Sequence, residues 1–309
     1  MALEFSHRSV LLDECIEGLA IRPNGIYVDG TAGGGGHSFE IAKRLHQGKL
    51  IAIDRDDAAI AAATARLSPF SERATVYRSN FSALDSVLDN LGIAEIDGLL
   101  LDLGCSSHQF DTSERGFGYM QDAPLDMRMD TSAPLSAYEV VNGYSEQMLF
   151  EIIRDYGEER FARRVASAIV AGRPVGTTLE LADIITSAIP AKYRHEGGHP
   201  AKRTFQAIRI EVNGELGSIP KAVFDGTDRL RVGGRMCIIS FHSLEDRAVK
   251  NAFAKLERPC ECPPDFPICV CGKKQTVKII TKKPILPAAE ELQANSRSHS
   301  AKLRICERV

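Results

Sequence analysis

The sequence has no apolar run long enough to cross a bilayer, and its N-terminus shows no signal-peptide pattern. We therefore expect no membrane partner and a cytoplasmic location. An excess of positive charge is also missing, because the net charge is −3. General electrostatic attraction to nucleic acid is thereby excluded, and any nucleic-acid contact is expected to be local.

Internal repeats and low-complexity segments are absent as well. The 309 residues, of which 44% are hydrophobic and 26% charged, are typical of a globular protein. That length suits one large domain with an insertion, or two modest domains.

A glycine-rich segment at residues 25–37 dominates the pattern. A short β-forming run ends at Asp29, four glycines occupy positions 33–36, and a helix is predicted at 38–45. Glycines at such a turn let backbone N–H groups approach a ligand closely. Asp54 ends the next predicted strand, about 20 residues further on, where a ribose hydroxyl is held in nucleotide-binding β-α-β units. Together these features favour a nucleoside ligand over a plain turn.

Two missing residues narrow the choice of ligand. No lysine follows the glycines, which excludes a triphosphate cradle, and His37 stands where a dinucleotide fold has its third glycine. Asp29, just before the glycines, would repel a pyrophosphate but attract a cation. S-adenosylmethionine carries both an ammonium and a sulfonium group, so we expect this methyl donor rather than NAD.

Strands and helices alternate through residue 103, and the run at 96–103 is apolar enough for a central parallel strand. The segment 102–109 follows that strand and should border the reaction centre. Residues 110–217 contain only helical patterns, whereas 276–283 and 301–306 suit a closing antiparallel strand pair. We predict an α/β fold with a mostly parallel sheet, divided into a first sheet part at 1–109, a helical insertion at 110–217 and a second sheet part at 218–309.

Eight cysteines in a cytosolic chain indicate thiols or metal ligands rather than disulfides. Four of them form two C-x-C pairs around a proline-rich loop: Cys260, Cys262, Cys269 and Cys271. Four thiols this close together suit a tetrahedral zinc site. The C-x-C spacing is tighter than the usual C-x₂-C, so a set of free thiols fits equally well.

Nine motifs spread over nearly the whole chain resemble the bacterial 16S rRNA (cytosine-N4)-methyltransferases, known as division-cluster methyltransferases. They lie at residues 7–14, 29–37, 52–56, 100–107, 115–120, 124–130, 156–161, 199–209 and 239–247. The resemblance implies a Rossmann-like class I methyltransferase sheet with an inserted helical subdomain that recognises RNA. It also implies methyl transfer from S-adenosylmethionine to N4 of the cytidine at position 1402, in the decoding centre of 16S rRNA or the small subunit.

The same resemblance implies which residues contact the cofactor: Gly35, Gly36, His37, Asp54, Phe81, Asp102 and Gln109. The amine of cytosine is a poor nucleophile and needs a hydrogen-bond acceptor beside it when the methyl group arrives. Asp102 is the candidate catalytic acceptor because it ends the fourth strand, although the resemblance places it on the cofactor. Both roles stay open.

Local positive charge is found in two segments. The first, between residues 192 and 209, offers Lys202, Arg203 and Arg209 as candidate phosphate contacts. The second, between 273 and 283, contains five lysines and fits a solvated face equally well. Phe241, Phe117 and Tyr119 are candidate surfaces for the target base, and each also fits an ordinary core position.

Cys105 supports a rival reaction. A thiolate three residues after Asp102 could attack cytosine before methylation at carbon 5, but no Pro-Cys dipeptide accompanies it, and a small structural thiol is the simpler interpretation. A non-catalytic nucleotide-binding or RNA-binding protein would also keep the glycine segment. The sequence does not fix the oligomeric state or decide between free rRNA and an assembled particle.

Overall fold

The computed structural model describes residues 9–194, 198–263, 268 and 270–309. Within these residues, no helix combines the length and the hydrophobicity required to cross a membrane. Two compact units are present: one joins the residues up to Gly104 with Leu216–Val309, and the other is Cys105–Glu215. The predicted boundaries at 109/110 and 217/218 lie within a few residues of these divisions.

The first unit contains all seven strands of one sheet. They are β1 (Ile26–Asp29), β2 (Lys49–Asp54), β3 (Ala74–Arg78), β4 (Ile96–Asp102), β5 (Leu230–Ser240), β6 (Val277–Ile279) and β7 (Lys302–Arg308). Its helices are α1 (Leu12–Leu19), α2 (Gly36–Arg44), α3 (Asp57–Leu67), α4 (Leu84–Asn90), α12 (Ser243–Glu257) and α13 (Ala289–Ala294). Helix α11 (Glu215–Arg229) leads back into the sheet at β5.

The described part of the second unit is helical, apart from turns and irregular segments. Its helices are α5 (Ser107–Asp111), α6 (Ala137–Gly143), α7 (Glu146–Asp155), α8 (Ala162–Ala171), α9 (Thr178–Ala188) and α10 (Lys202–Asn213). Three of them begin with a capping box, in which a side chain at the helix start and one three residues later satisfy otherwise unpaired N–H groups.

The strand order is β3-β2-β1-β4-β5-β7-β6. Strands β1 to β5 are parallel, and β7 pairs antiparallel with both β5 and β6. The predicted fold class, a mostly parallel sheet with a C-terminal antiparallel pair and a helical insertion, is confirmed. The central position predicted for β4 is also correct, because it lies between β1 and β5.

The sheet is covered on both faces, which explains the apolar strand sequences. Leu99 and Leu101 of β4 pack in one hydrophobic cluster, while Leu100 between them packs in another. Since successive side chains of a strand point to opposite faces, both faces of β4 exclude water. The helical unit has its own core, in which Leu149 and Ile169 are fully buried.

Strand β5 is the main departure from the expected element boundaries. The glycines at 233 and 234 favour a strand at 235–241, directly after them, but β5 begins at Leu230. Leu230 pairs with Ile96, and after a register shift Arg235 pairs with Gly98. Gly233, with φ +79°, lies in this irregularity, so the glycines interrupt the strand rather than precede it.

Candidate functional site

The turn after β1 passes very close to neighbouring elements. The Gly30 N–H donates a hydrogen bond to the Leu100 carbonyl at 2.9 Å. A Cβ atom on Gly30 would lie 2.5 Å from Leu101 Cδ2 and 3.1 Å from Phe81 Cβ. Only glycine fits here without displacing its neighbours. The fold therefore brings Phe81, at the end of β3, against the start of the glycine segment.

Asp54 ties the glycine segment to the end of β2. Its Oδ2 accepts a hydrogen bond from the Gly33 N–H at 2.8 Å, and its Oδ1 accepts from the backbone N–H groups of Arg55 and Asp56. Burial raises the pKa of this carboxyl, while the backbone N–H groups oppose the increase. An ionised carboxylate has about four acceptor positions, so one position remains for a hydroxyl of a ligand.

Asp29 lies at the end of β1 with only 1% of its surface exposed. The Ser38 hydroxyl donates to its Oδ2 at 2.6 Å, and the Thr31 N–H donates to its Oδ1 at 3.2 Å. Burial raises the pKa of Asp29 to about 6, and the nearby charge of Asp54 also favours protonation. Two hydrogen bonds thus only partly compensate for the removal of this carboxylate from water.

Asp102, at the end of β4, is the least satisfied carboxyl of the site. Its backbone N–H donates to the Thr31 hydroxyl at 2.6 Å, but its buried Oδ1 has no hydrogen-bond partner within the described residues. Burial raises the pKa of Asp102 well above its ordinary value, and the charges of Asp29 and Glu245 raise it further. A buried acceptor of this kind is costly unless a ligand occupies it.

His37 stands next to Asp102 without neutralising it. Its Nδ1 is 3.9 Å from Asp102 Oδ2, while its Nε2 is 3.1 Å from the Val10 carbonyl. A carbonyl can only accept, so we assign the proton of the neutral ring to Nε2. Burial lowers the pKa of His37 to about 4, and the ring is therefore uncharged at neutral pH.

The ends of β1, β2 and β4 together present three carboxyl groups, those of Asp29, Asp54 and Asp102. In each of them burial is the largest influence on the pKa and raises it. No lysine or arginine side chain pairs with any of the three among the salt bridges of the described residues. Such a set repels anions and favours a ligand that brings its own positive charge.

The two predicted cofactor glycines form the start of α2. Gly35 is the N-cap residue with φ +75°, and Gly36 is the first residue of the helix. A Cβ atom on Gly36 would lie 2.0 Å from the Ser9 hydroxyl oxygen, and one on Gly35 would lie 3.2 Å from Ala63 Cα. The remaining predicted cofactor residue, Gln109, belongs to the helical unit. There its Oε1 accepts from the Ser106 N–H at 3.0 Å as part of the α5 capping box.

The aromatic and thiol candidates of the helical unit have structural partners. Phe117 is buried in the core of that unit, against which Cys105 packs. Tyr119 stacks on His199 with ring centroids 4.6 Å apart and meets Phe205 edge-on. Packing alone therefore accounts for these residues.

The three predicted RNA contacts differ in their environments. Lys202 and Arg203 are exposed at the start of α10, where Arg203 Nη1 donates to the Glu158 carbonyl at 2.8 Å. Arg209 is different, because its guanidinium makes two 2.9 Å hydrogen bonds to Glu215, and only 14% and 6% of the two side chains are exposed. This pairing explains Arg209 as a structural residue. Direct RNA contact through its guanidinium remains a prediction.

The predicted zinc ligands are only partly described. Cys260, Cys262 and Cys271 have their sulfur atoms within 4.8 Å of one another. Cys269 lies outside the described residues.

Three supporting residues were not singled out from the sequence: Thr31, Ser38 and Glu245. Thr31 lies inside the glycine segment and Ser38 directly follows it. A hydroxyl residue at each of these positions is the sequence signal for a hydrogen bond to Asp29 or Asp102. Glu245 is buried and accepts from the Phe241 N–H at 2.7 Å, and its capping box with His242 is visible in the sequence as H-x-x-E.

Several curated proteins are similar to this chain over its full length. "Ribosomal RNA small subunit methyltransferase H" of Lachnospira eligens is 58% identical over 311 residues, which cover 99% of each chain. Proteins of the same name from Clostridium botulinum and Clostridioides difficile are 57% and 56% identical, and the match covers 99% of this chain and all of theirs.

Similarity extends to a family model and, more weakly, to solved structures. The model of the MraW methylase family matches residues 4–309. A crystal structure described as a putative rRNA-methylase from Clostridium thermocellum superposes with a TM-score of 0.47 at 11% identity, covering 99% of this chain and 100% of that one.

Proposed function

We propose a specific reaction for this chain, which belongs to the MraW methylase family. It transfers a methyl group from S-adenosylmethionine to the exocyclic N4 of the cytidine at position 1402, in the decoding centre of 16S rRNA. The names of its relatives support rRNA of the small subunit as the substrate, and the sequence motifs described above support the cytidine amine as the target.

The observation that carries the proposal is the buried Oδ1 of Asp102, which lacks a hydrogen-bond partner within the described residues. Asp29 and Asp54 end neighbouring strands, and the charge of Asp29 adds to the cost of ionising Asp102. A cationic donor relieves this arrangement, because its positive charge favours the ionised form of Asp102. A phosphate-bearing cofactor would instead add to the repulsion. The site thus fits S-adenosylmethionine better than NAD or a nucleoside triphosphate.

The remaining site residues suit the other parts of that donor. Asp54 has an acceptor position left for a ribose hydroxyl, and Phe81 lies beside Gly30, where its ring can cover an adenine. Gly35 and Gly36 lack a Cβ and therefore let the start of α2 pack closely against Ala63 and Ser9, which fixes the course of the turn that would border the donor. When bound, S-adenosylmethionine supplies an electrophilic methyl group on its sulfonium.

Asp102 also suits the acceptor role at the target amine. In the reaction the N4 lone pair forms a bond to the methyl carbon as the carbon–sulfur bond breaks, and N4 then releases one proton. A carboxylate that accepts a hydrogen bond from N4–H localises the lone pair and can receive that proton. Burial raises the pKa of Asp102, so its carboxylate is a stronger proton acceptor than that of an exposed aspartate. Neither a metal nor a covalent enzyme intermediate is required.

The helical unit provides the proposed RNA contacts. Lys202 and Arg203 are exposed at the start of α10 and can each neutralise a phosphate. Arg209 is proposed to act indirectly, by holding Glu215 at the end of this unit. The target base must be unstacked before it can be methylated, as for other enzymes that modify bases.

The decisive experiment supplies labelled S-adenosylmethionine with small subunits that lack the modification, or with free 16S rRNA. We expect label in N4-methylcytidine, identified by chromatography of digested RNA against N4- and carbon-5-methylcytidine standards. Asp102→Asn should lower the single-turnover rate at saturating donor at least 100-fold. Donor affinity, measured separately by calorimetry, gives the concentration that saturates the variant, so that the rate at saturation reports the chemical step rather than binding.

Cys105→Ala is the matched control for the rival reaction. It should keep the single-turnover rate within a few-fold of the unmodified protein, because the amine mechanism uses no thiolate. Label in 5-methylcytidine together with an inactive Cys105→Ala protein would establish the rival. Failure to bind the donor, even with small subunits present, would refute both enzymatic readings and leave a non-catalytic RNA-binding protein.

A further inference from the structure

The segment between α12 and β6 contains a cysteine cluster that the proposed methyl transfer does not use. It departs from the end of α12 at Glu257 and returns at Thr276, whose N–H donates to the Leu256 carbonyl at 3.1 Å. The two ends of the excursion therefore meet. Between them, the cluster is formed by Cys260, Cys262 and Cys271.

Hydrophobic burial does not hold this excursion together. None of its described residues, 258–263, 268 and 270–275, is buried. The two large apolar side chains among them, Ile268 and Val270, are 75% and 73% exposed. Lys273 and Glu261 form an ion pair at 2.6 Å, but exposed pairs of this kind contribute little to stability because water screens them. Another source of order is needed, and small segments without a core are commonly organised by a metal.

The sulfur geometry fits a tetrahedral metal. Cys260 Sγ and Cys271 Sγ are 3.9 Å apart, and all three sulfur atoms lie within 4.8 Å of one another. Zinc–sulfur bonds of about 2.3 Å in a regular tetrahedron place neighbouring sulfur atoms about 3.8 Å apart. A disulfide needs about 2.05 Å, so 3.9 Å is far too long for one.

A backbone hydrogen bond supports the same assignment. The Val270 N–H donates to Cys262 Sγ at 3.3 Å. Hydrogen bonds to a sulfur atom stabilise its thiolate form, which is the form that binds metal, and they fix its orientation. Lys273 and Lys274 follow the last cysteine and add positive charge near a site that is negative once its thiols are ionised.

We propose that Cys260, Cys262 and Cys271 bind one Zn²⁺ ion that holds the described parts of the excursion, 258–263 and 270–275, together. Binding converts three thiols to thiolates and releases their protons to solvent. Thiolate ligands select zinc over magnesium or calcium. The fourth position of the tetrahedron is left to a further ligand. The sequence offers Cys269 as this fourth ligand, but it lies outside the described residues, and the proposed site consists of the other three cysteines.

The test uses the full chain, purified under reducing conditions without chelator. We expect about one equivalent of zinc per chain, and Co²⁺ exchanged into the protein should give the intense visible bands and thiolate charge-transfer absorption of a tetrahedral site. The Cys260→Ser/Cys271→Ser double variant should contain at least tenfold less zinc and lose the charge-transfer absorption. Cys105→Ser is the matched control, because that thiol lies outside the cluster, and it should keep the zinc content of the unmodified protein.

Two further measurements separate loss of the metal from loss of the fold. Far-UV circular dichroism and S-adenosylmethionine affinity should stay within twofold in the double variant, because the site lies outside the sheet and the donor-binding residues. Limited proteolysis within 258–275 should become at least tenfold faster after chelation. Unmodified protein with titratable thiols but neither zinc nor a cobalt spectrum would overturn the proposal, as would unchanged zinc content in the double variant.

Discussion

Replacement of Asp29 by asparagine tests the central electrostatic feature of the site, a buried carboxyl group that is costly to ionise. The pKa of Asp29 is raised from 3.8 to about 6 by burial. In the pH range between these values, the folded protein holds a proton that the unfolded chain has lost. The free energy of unfolding therefore falls as pH rises through this range and becomes level above it.

The size of the effect follows from the same two values. A difference of about 2 pH units corresponds to about 3 kcal/mol, at ~1.4 kcal/mol for each unit. Roughly 2 kcal/mol of this lies between pH 4.5 and pH 7.5. Asparagine has nearly the same shape, can accept from the Thr31 N–H and does not titrate. The variant should therefore gain about 2 kcal/mol relative to the unmodified protein between pH 4.5 and pH 7.5.

Urea unfolding of both proteins at a series of pH values measures this gain. Because the chain contains no tryptophan, far-UV circular dichroism is the suitable signal. The pH dependence of groups that do not interact with Asp29 cancels in the difference between the two proteins. The variant should also bind S-adenosylmethionine more weakly at pH 7.5, since a negative charge near the donor has been removed. A stability difference that stays constant from pH 4.5 to pH 7.5 would refute the raised pKa.

Three further substitutions test other parts of the structure. Gly30→Ala should cost about 1–3 kcal/mol in urea unfolding and weaken donor binding, because its Cβ would collide with Leu101; unchanged stability would contradict the close approach. Arg209→Ala should lower the free energy of unfolding by about 3–5 kcal/mol, since it leaves Glu215 buried without its partner guanidinium. A loss of RNA affinity without a change in stability would instead make Arg209 a direct RNA contact. Arg203→Ala should leave stability within about 0.5 kcal/mol and reduce the slope of log affinity for rRNA against log salt by about 1; an identical slope would remove Arg203 from the interface.

The sheet was predictable from the sequence because its signals are local. Strand β4 is a continuous apolar run with a polar end, and the β-forming residues of Ala74–Arg78 predict a strand at the position where β3 is observed. The short helices α5 and α13 are not recognisable in the sequence, since five or six residues carry too little periodicity. The early start of β5 depends on pairing with Ile96, which no local pattern reveals.

The candidate site was predictable in position but not in its interactions. The spacing from the glycines to Asp54 indicated a nucleoside site, yet not that three backbone N–H groups already bind this carboxylate. The sequence pattern predicts an exposed side chain for Arg209, because its partner Glu215 is six residues away. Ion pairs within a helix are recognised by a spacing of three or four residues. Whether a basic side chain is paired or exposed is decided by tertiary packing.

The placement of β7 between β5 and β6 constrains the order of events during synthesis. Among the described residues, strand β6 pairs with β7 alone, so it has no neighbour in the sheet until β7 has left the ribosome. Cys105–Glu215, by contrast, is one continuous stretch with its own core, and it can fold while the later strands are still being translated. A nascent chain halted before residue 302 would therefore carry a folded helical unit beside an unfinished sheet, with the edge of β5 open to incorrect pairing.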